Sequence, residues 1–199
     1  MKRRRPRRPR PLATYLSGRT RTRRFVGAAG ILLVILLIVL DRAVLYRGGE
    51  VGRYEGRAWR VVRVIDGDTL EINAPDVTPT GDPSPTTRVR LWGVDTPERA
   101  RADTGEPAEP FAEAATALAR DLCEGKTVEL QLQPHRVRGN FGRLLAYVIL
   151  DDGTTLNERL LAAGLARADD RFSHQWDERY LLIEDQARKE RVGMWGRGE

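Results

Sequence analysis

The sequence predicts an α+β fold, a five-stranded β-barrel with about three helices, preceded by one transmembrane helix. Three observations support this prediction. Short runs rich in β-branched residues alternate with glycine and aspartate turns between residues 58 and 150. Apolar residues recur at helical spacing in the second half of the chain. A continuous apolar run occupies residues 25–40, close to the length that crosses a bilayer.

The first 24 residues form a basic segment. The chain has 34 Lys and Arg against 28 Asp and Glu, a formal net charge of +6. Residues 1–24 hold eleven of the basic residues and no acidic one, so residues 25–199 carry a net charge of −5. Because prolines are interspersed among the arginines, we predict a disordered cytoplasmic tail at residues 1–24. The overall charge therefore gives no argument that the rest of the chain binds nucleic acid.

The apolar run predicts a membrane anchor. Residues 25–40 contain no charged side chain, and apolar residues continue beyond Asp41 and Arg42. We predict a transmembrane signal anchor at residues 25–46, with the tail in the cytoplasm and the rest outside, because basic flanks stay inside. The alternative is a cleaved signal peptide, which would give a secreted form, although no clear cleavage site follows the run.

The strands are predicted from short β-branched runs that follow a glycine-rich segment. Residues 47–57 are predicted to be a flexible linker, and the folded domain is predicted at residues 58–196. Asp66 and Gly67 interrupt a β-branched run and predict a hairpin. The predicted strands cover residues 59–65, 69–72, 88–94, 127–132 and 144–150. Residues 74–87 contain four prolines and are predicted to be an unusually long loop.

Helices are predicted between and after these strands. Apolar residues at helical spacing cover residues 111–122, and Gly125 ends that pattern. Thr155 and Glu158 have the spacing of a capping box, and a last helix is predicted around residues 176–187. Five strands with interposed and appended helices predict a small barrel of the OB-fold type.

Cysteine and histidine counts exclude several kinds of site. A single cysteine, Cys123, excludes an intramolecular disulfide framework and a cysteine-rich zinc site. With only His135 and His174, a three-histidine metal site is also excluded. We expect both histidines to lie at the surface.

Three polar segments stand at the ends of predicted strands: Asp66–Thr69, Asp95–Glu98 and Gly142–Arg143. Each has an ordinary explanation by itself, as a hairpin turn, a helix start and a loop. Several carboxylates and arginines on a framework that brings strand ends together favour a functional site instead.

The order of the segments VIDGDTLEI, RVRLWGVDTPE and FGRLLAYV resembles the staphylococcal nuclease (thermonuclease) family. The stretch that begins at residue 153, GTTLNERLLAAGLARA, is similar to the C-terminal half of that family. The resemblance covers residues 58–196. It implies an OB-fold barrel with three helices that hydrolyses DNA and RNA with the help of Ca²⁺.

The resemblance also implies a role for six residues at matching positions. It implies Ca²⁺ ligands at the Asp68 and Asp95 carboxylates and the Thr96 carbonyl, a general base at Glu98, and phosphate-contacting arginines at Arg90 and Arg143. Hard oxygen ligands suit Ca²⁺, and the planar guanidinium fork suits a pair of phosphate oxygens.

The chain departs from the family pattern near its aromatic residues. Gly139 stands where members usually have an aspartate, and Phe141 stands where tyrosine is common. Phe172 lies where the secreted nuclease has tyrosines that contact the nucleotide. We therefore expect Phe141 and Phe172 to contact the substrate, and we expect the neighbouring Asp169 and Asp170 to repel a phosphate chain.

Three functions remain open from the sequence. The first is a membrane-anchored, Ca²⁺-dependent nuclease that acts on DNA or RNA outside the cytoplasm. The second is a catalytically silent OB-fold module that binds nucleic acid or protein. In the third, the basic tail is the functional element and tethers an inert domain. The sequence predicts no particular protein partner or oligomeric state.

Overall fold

The computed structural model describes residues 30–38, 49–77, 80–100 and 104–196. It contains two units, Met1–Gly49 and Glu50–Glu199. In the first unit, residues 30–38 are helical with exposed apolar side chains. Within the described ranges, no helix combines the length and apolar character needed to span a bilayer. The predicted tail and most of the predicted anchor at residues 25–46 lie outside the described residues.

The second unit is built on a closed five-stranded barrel. The strands are β1 Ala58–Val64, β2 Thr69–Ile72, β3 Asp76–Val77, β4 Pro83–Ser84, β5 Thr87–Leu91, β6 Val94–Asp95, β7 Thr127–Leu132, β8 Leu144–Ile149 and β9 Arg167–Ala168. The strand order in the barrel is β1-β2-β5-β8-β7, and the remaining strands form two small sheets, β3-β4 and β6-β9. Neighbouring barrel strands are antiparallel except β5 and β8. The predicted OB-type α+β barrel is confirmed.

The burial of each strand follows from its position in the barrel. In β7, residues alternate between exposed and buried, because one face points into the barrel and the other toward solvent. In β8, five of six residues are buried, because helices cover its outer face. The register of β5 on β8 pairs Val89 with Leu144 and Arg90 with Leu145, and this pairing brings Arg90 close to the turn that precedes β8.

Among the residues that the structure describes, four α-helices accompany the barrel: α1 Glu50–Tyr54, α2 Ala112–Cys123, α3 Leu156–Ala162 and α4 Asp177–Glu190. The small residues of α2, among them Ala115 and Ala119, are buried at helical spacing against the barrel. Helix α3 begins with the predicted capping box, in which the Thr155 hydroxyl accepts from the Glu158 N–H at 3.1 Å. The predicted helical cover is therefore present, together with one additional helix at the start of the unit.

Helix α1 changes the predicted start of the folded domain. Residues 47–57 were predicted to be a flexible linker, but Tyr54 is fully buried and its O–H lies 3.3 Å from the Thr87 hydroxyl. The Gly56 N–H also donates to the Leu130 carbonyl at 3.0 Å. The compact unit therefore begins near residue 50 and not at residue 58.

The proline-rich segment 74–87 is more ordered than its composition predicts. Strands β3 and β4 pair within it, with Asp76 opposite Ser84 and Val77 opposite Pro83. Proline is compatible with this pairing because a two-stranded ladder leaves one edge of each strand without partners. The segment is therefore a short hairpin (residues 78 and 79 lie outside the described residues), and we call it the proline-rich hairpin.

Candidate active site

Asp68 is a nearly buried carboxylate at the centre of the candidate site. It follows the turn between β1 and β2, and the residue is 6% exposed. Its Oδ2 accepts from the Thr96 N–H at 2.9 Å and from the Thr96 hydroxyl at 3.0 Å, while its Oδ1 accepts from the Thr69 hydroxyl at 3.1 Å. Burial, together with the nearby Asp66, raises the pKa of Asp68 to about 6, although Arg90 and the two hydrogen bonds from Thr96 act in the opposite direction.

The turn before Asp68 requires glycine because it packs closely on two other elements. A Cβ atom at Gly67 would lie 2.8 Å from the Thr96 hydroxyl and 2.8 Å from the Cβ of Ala115 on α2. The missing side chain therefore lets the β1–β2 turn, the segment after β6 and α2 meet at one point.

Arg90 joins the two predicted metal-binding carboxylates. Its Nη1 lies 2.8 Å from Asp68 Oδ2 and its Nη2 lies 2.6 Å from Asp95 Oδ1. The Nη1 also donates to the Val94 carbonyl at 2.7 Å. Asp95 is half-exposed, and burial raises the pKa of its carboxyl group despite the nearby Arg90. The structure thus brings Asp68, Arg90, Asp95 and Thr96 together, as the sequence predicts.

Two carboxylate oxygens of this cluster retain capacity for a cation. Asp68 Oδ1 accepts one hydrogen bond from protein, and Asp95 Oδ2 has Arg171 at 3.9 Å as its charged neighbour. Within the described residues, no group of three or more His, Cys, Asp and Glu side chains could hold a metal ion. Any cation here would therefore need further oxygen ligands from the backbone, water or a ligand.

Arg143, in the turn before β8, lines a cleft together with Arg90. A cavity of about 260 Å³ is lined by Arg90 and Arg143 together with the aromatic residues Phe141 and Phe172. The Arg143 Nη1 donates to the Thr69 hydroxyl at 3.4 Å, and its guanidinium lies 5.6 Å from the centroid of the Phe141 ring. Phe141 is 75% exposed. The structure therefore places four of the eight predicted site residues around one cleft.

Phe172 lines this cleft and is 45% exposed. Its ring stacks on Trp92, with centroids 6.4 Å apart and planes inclined by 14°. The Arg136 guanidinium lies 3.9 Å from the Phe172 centroid and 5.7 Å from the Trp92 centroid. These three distances place Arg136 and Trp92 side by side on the same face of Phe172. Neither residue covers the opposite face.

Two arginines of the cleft were missed by the sequence analysis. Arg136 and Arg171 line the cavity with Arg90 and Arg143. Arg171 pairs with Asp169 at 2.7 and 2.8 Å, and these hydrogen bonds lower the pKa of the Asp169 carboxyl group. The expected repulsion from Asp169 is therefore offset by an adjacent cation. The arginine that directly follows Asp169 and Asp170 in the sequence could have indicated this local pairing.

Glu98 occupies an exposed position two residues beyond Thr96. Its N–H donates to the Glu109 carboxylate at 3.0 Å, and its carbonyl accepts from the Glu109 N–H at 2.9 Å. These two bonds fix the backbone at Glu98 beside the carboxylate cluster. Glu98 lies outside the set of residues that line the arginine-rich cavity, and its role as a base stays a prediction.

His174 is buried, contrary to the expectation of a surface residue. Its ring lies directly beneath Gly93, where a Cβ atom would clash with it, and its Nδ1 is 3.1 Å from the Tyr147 hydroxyl. Asp177 accepts from the His174 N–H at 3.0 Å. His174 belongs to an aromatic cluster below the cleft. Its position after Phe172 and Ser173 in the sequence gives no indication of that packing.

The barrel and its cleft define an OB-fold domain with an arginine-lined cleft and a pair of carboxylates that contact one of those arginines. The sequence model of the family described as staphylococcal nuclease homologue matches residues 88–197. The thermonuclease of Staphylococcus intermedius is 35% identical over 145 residues, which cover 71% of this chain and 78% of that protein. The chain belongs to the staphylococcal nuclease family.

Other relatives come from different bacteria. An uncharacterized endonuclease of Escherichia coli O157:H7 is 29% identical over 136 residues, covering 68% of this chain and 75% of that protein. The endonuclease YncB of Bacillus subtilis (strain 168) is 29% identical over 137 residues, covering 68% of this chain and 60% of that protein.

Proposed function

We propose that this protein is a Ca²⁺-dependent nuclease that hydrolyses phosphodiester bonds of DNA or RNA. The observation that carries this proposal is the pair of arginines, Arg90 and Arg143, that face one cleft from two different elements. Membership of the nuclease family supports it, as do relatives that are named thermonucleases and endonucleases.

The carboxylate cluster fits a calcium ion by its chemistry. Asp68 and Asp95 supply hard oxygen atoms, and Ca²⁺ accepts a loose shell that the Thr96 carbonyl, water and a phosphate oxygen would complete. When bound, the ion would neutralise the phosphodiester and favour attack by water. Asp68, Asp95 and Thr96 are the residues that would hold it.

The two arginines are the groups we propose to stabilise the transition state. Each guanidinium is permanently charged and can donate two parallel hydrogen bonds to non-bridging phosphate oxygens. Arg90 comes from β5 and Arg143 from the turn before β8, so a phosphate between them would be contacted from two sides. Glu98 is the proposed base that takes a proton from the attacking water.

The direct test measures cleavage of DNA and RNA by the full chain, with Ca²⁺ and with a chelator. We expect cleavage that requires Ca²⁺, and we expect Glu98→Gln and Arg143→Ala each to slow it by about 100-fold or more. Leu182→Ala, at an exposed position on α4, is the matched control and should cleave at the parental rate. Absence of Ca²⁺-stimulated cleavage, with DNA binding retained, would instead favour the silent binding module.

For the cellular location, we propose that residues 25–46 anchor the chain and that the catalytic unit lies outside the cytoplasm. The support is the apolar run at residues 25–40 and the eleven basic residues before it. Deleting residues 1–46 should move the protein from the membrane fraction to the soluble fraction while nuclease activity persists. If the deletion abolishes activity but leaves the barrel folded, the basic tail has a functional role of its own.

A further inference from the structure

Arg138 lies at the base of the turn that carries Arg143. Arg138 and Leu144 pair as an antiparallel β-bridge, and the Gly139 N–H donates to the Arg143 carbonyl at 2.9 Å. The Gly142 N–H donates to the Gly139 carbonyl at 3.0 Å, and Gly142 has a left-handed backbone with φ of 73°. The turn is thus closed on itself, with Arg138 and Leu144 as its two ends.

The Arg138 side chain ties this turn to two other elements. Its Nη1 donates to the Gly142 carbonyl at 2.6 Å, immediately before Arg143. Its Nη1 and Nη2 each donate to the Asp76 carboxylate of the proline-rich hairpin at 2.8 Å. Its Nε lies 2.5 Å from the Glu50 carboxylate on α1.

The partners of Arg138 show that it is not itself a phosphate ligand. Its side chain is 22% exposed, and two carboxylates balance its single charge. Burial acts to lower the pKa of the Arg138 guanidinium, but the hydrogen bonds that it donates to Asp76 and Glu50 raise that pKa overall. Its donors are directed to protein atoms, so its effect on a substrate would pass through the turn.

Arg143 depends on its backbone for its position in a way that Arg90 does not. Arg90 is held by two carboxylates. In the part of the chain that the structure describes, Arg143 has no carboxylate partner, and its hydrogen bond to Thr69 is long at 3.4 Å. A guanidinium without a counter-ion is available to a phosphate, but little besides the backbone turn determines where it lies.

We propose that Arg138 is a positioning residue for Arg143, anchored by Asp76 of the proline-rich hairpin. It holds the Gly142 carbonyl and thereby fixes the direction in which the Arg143 side chain leaves the turn. The proposal rests on the proposed nuclease function, and it gives the proline-rich hairpin a role in supporting the active site. Through Arg138, the carboxylate of Asp76 lies beside this turn, in which Gly139 stands where family members usually have an aspartate.

The test is a double-mutant cycle on the full chain with Ca²⁺ and a DNA substrate. We expect Arg138→Ala to lower kcat by about 10- to 100-fold with KM changed less than about threefold, because a displacement of about 1 Å has this effect on positioning. In an Arg143→Ala background, the same change should lower kcat by less than about twofold. Losses that multiply in the double variant would overturn the proposal, as would an unchanged kcat for Arg138→Ala.

Three controls separate this outcome from misfolding and from failure of the proposed function. Arg159→Ala removes another arginine that pairs with an aspartate, Asp152, and should leave kcat unchanged. Asp76→Asn keeps the shape of the anchor without its charge, so it takes the place of Arg138→Ala in the cycle if that variant does not fold. A parent protein that does not cleave nucleic acid contradicts the nuclease proposal, whereas an active parent with multiplying losses contradicts the positioning role alone.

Discussion

Arg90 and Asp68 form an ion pair with Nη1 and Oδ2 2.8 Å apart, while only 14% and 8% of the two side chains are exposed to solvent. A pair this far removed from water serves the fold as well as the site, because removing either partner leaves the other charge buried and uncompensated. Arg143, on the opposite wall of the cleft, makes no comparable pair within the described residues. The two arginines that we place in the same chemical role therefore differ in their contribution to stability.

This difference gives the first prediction. Arg90→Ala should lower the free energy of unfolding by about 3 kcal/mol, since it leaves Asp68 buried without its counter-charge. Arg143→Ala should lower it by less than about 0.5 kcal/mol, as for an ordinary surface change. Urea unfolding of both variants measures this, and both should lose nuclease activity. Equal losses of stability would contradict the separation of roles.

Phe172 provides the second prediction. Its ring lines the cleft and is 45% exposed, and stacking of a base on an aromatic ring contributes about 1–3 kcal/mol. Phe172→Ala should therefore weaken binding of a single-stranded oligonucleotide by about tenfold. Fluorescence anisotropy in a Glu98→Gln background without added Ca²⁺, where cleavage is expected to be slow, gives the dissociation constant. Leu182→Ala in the same background should bind as the parent does, and an unchanged constant for Phe172→Ala would argue against stacking.

The third prediction concerns the pair formed by Arg171 and Asp169. Removing Arg171 leaves the Asp169 carboxylate unpaired beside the cleft, so Arg171→Ala should raise KM for DNA by about five- to tenfold. Adding Asp169→Asn to that variant should bring KM most of the way back to the parental value. The measurement is KM at several salt concentrations, where a lost phosphate contact also reduces the salt dependence. If Asp169→Asn does not restore binding, Arg171 acts by contacting the phosphate and not by neutralising the Asp169 carboxylate.

His174 gives a prediction about pH. Burial lowers the pKa of His174 from its ordinary value of 6.5, more than the nearby Asp177 raises it. As the pH falls below about 6.5, the unfolded chain binds a proton that the folded chain does not, so this group makes the fold less stable in acid. The stability difference between the parent and His174→Gln should therefore shrink between pH 7.5 and 5.5. Parallel stability curves for the two proteins would contradict this.

The barrel was predictable because its signals are local. The β-branched runs around Asp66 and Gly67 define a hairpin by themselves, and Thr155 with Glu158 defines the start of α3. The cluster of Asp68, Arg90 and Asp95 was predictable through the family resemblance, since each residue stands at the end of a recognisable strand.

The features that were missed depend on contacts between distant parts of the chain. Arg138 meets Asp76 and Glu50, which are far from it in sequence, so no local pattern marks it as a structural link. His174 is buried because Gly93, on another segment, leaves room for its ring. Periodicity describes which face of an element is apolar, but it does not describe which partner will cover that face.

The parallel pairing of β5 with β8 has a consequence for the order of events during synthesis. Arg90 belongs to β5, whereas Arg143 enters the site only when β8, made much later, pairs alongside it. Such non-local pairing is a late and slow event in folding. A partly made or still unfolded chain therefore lacks the second of the two arginines that we propose to contact the phosphate.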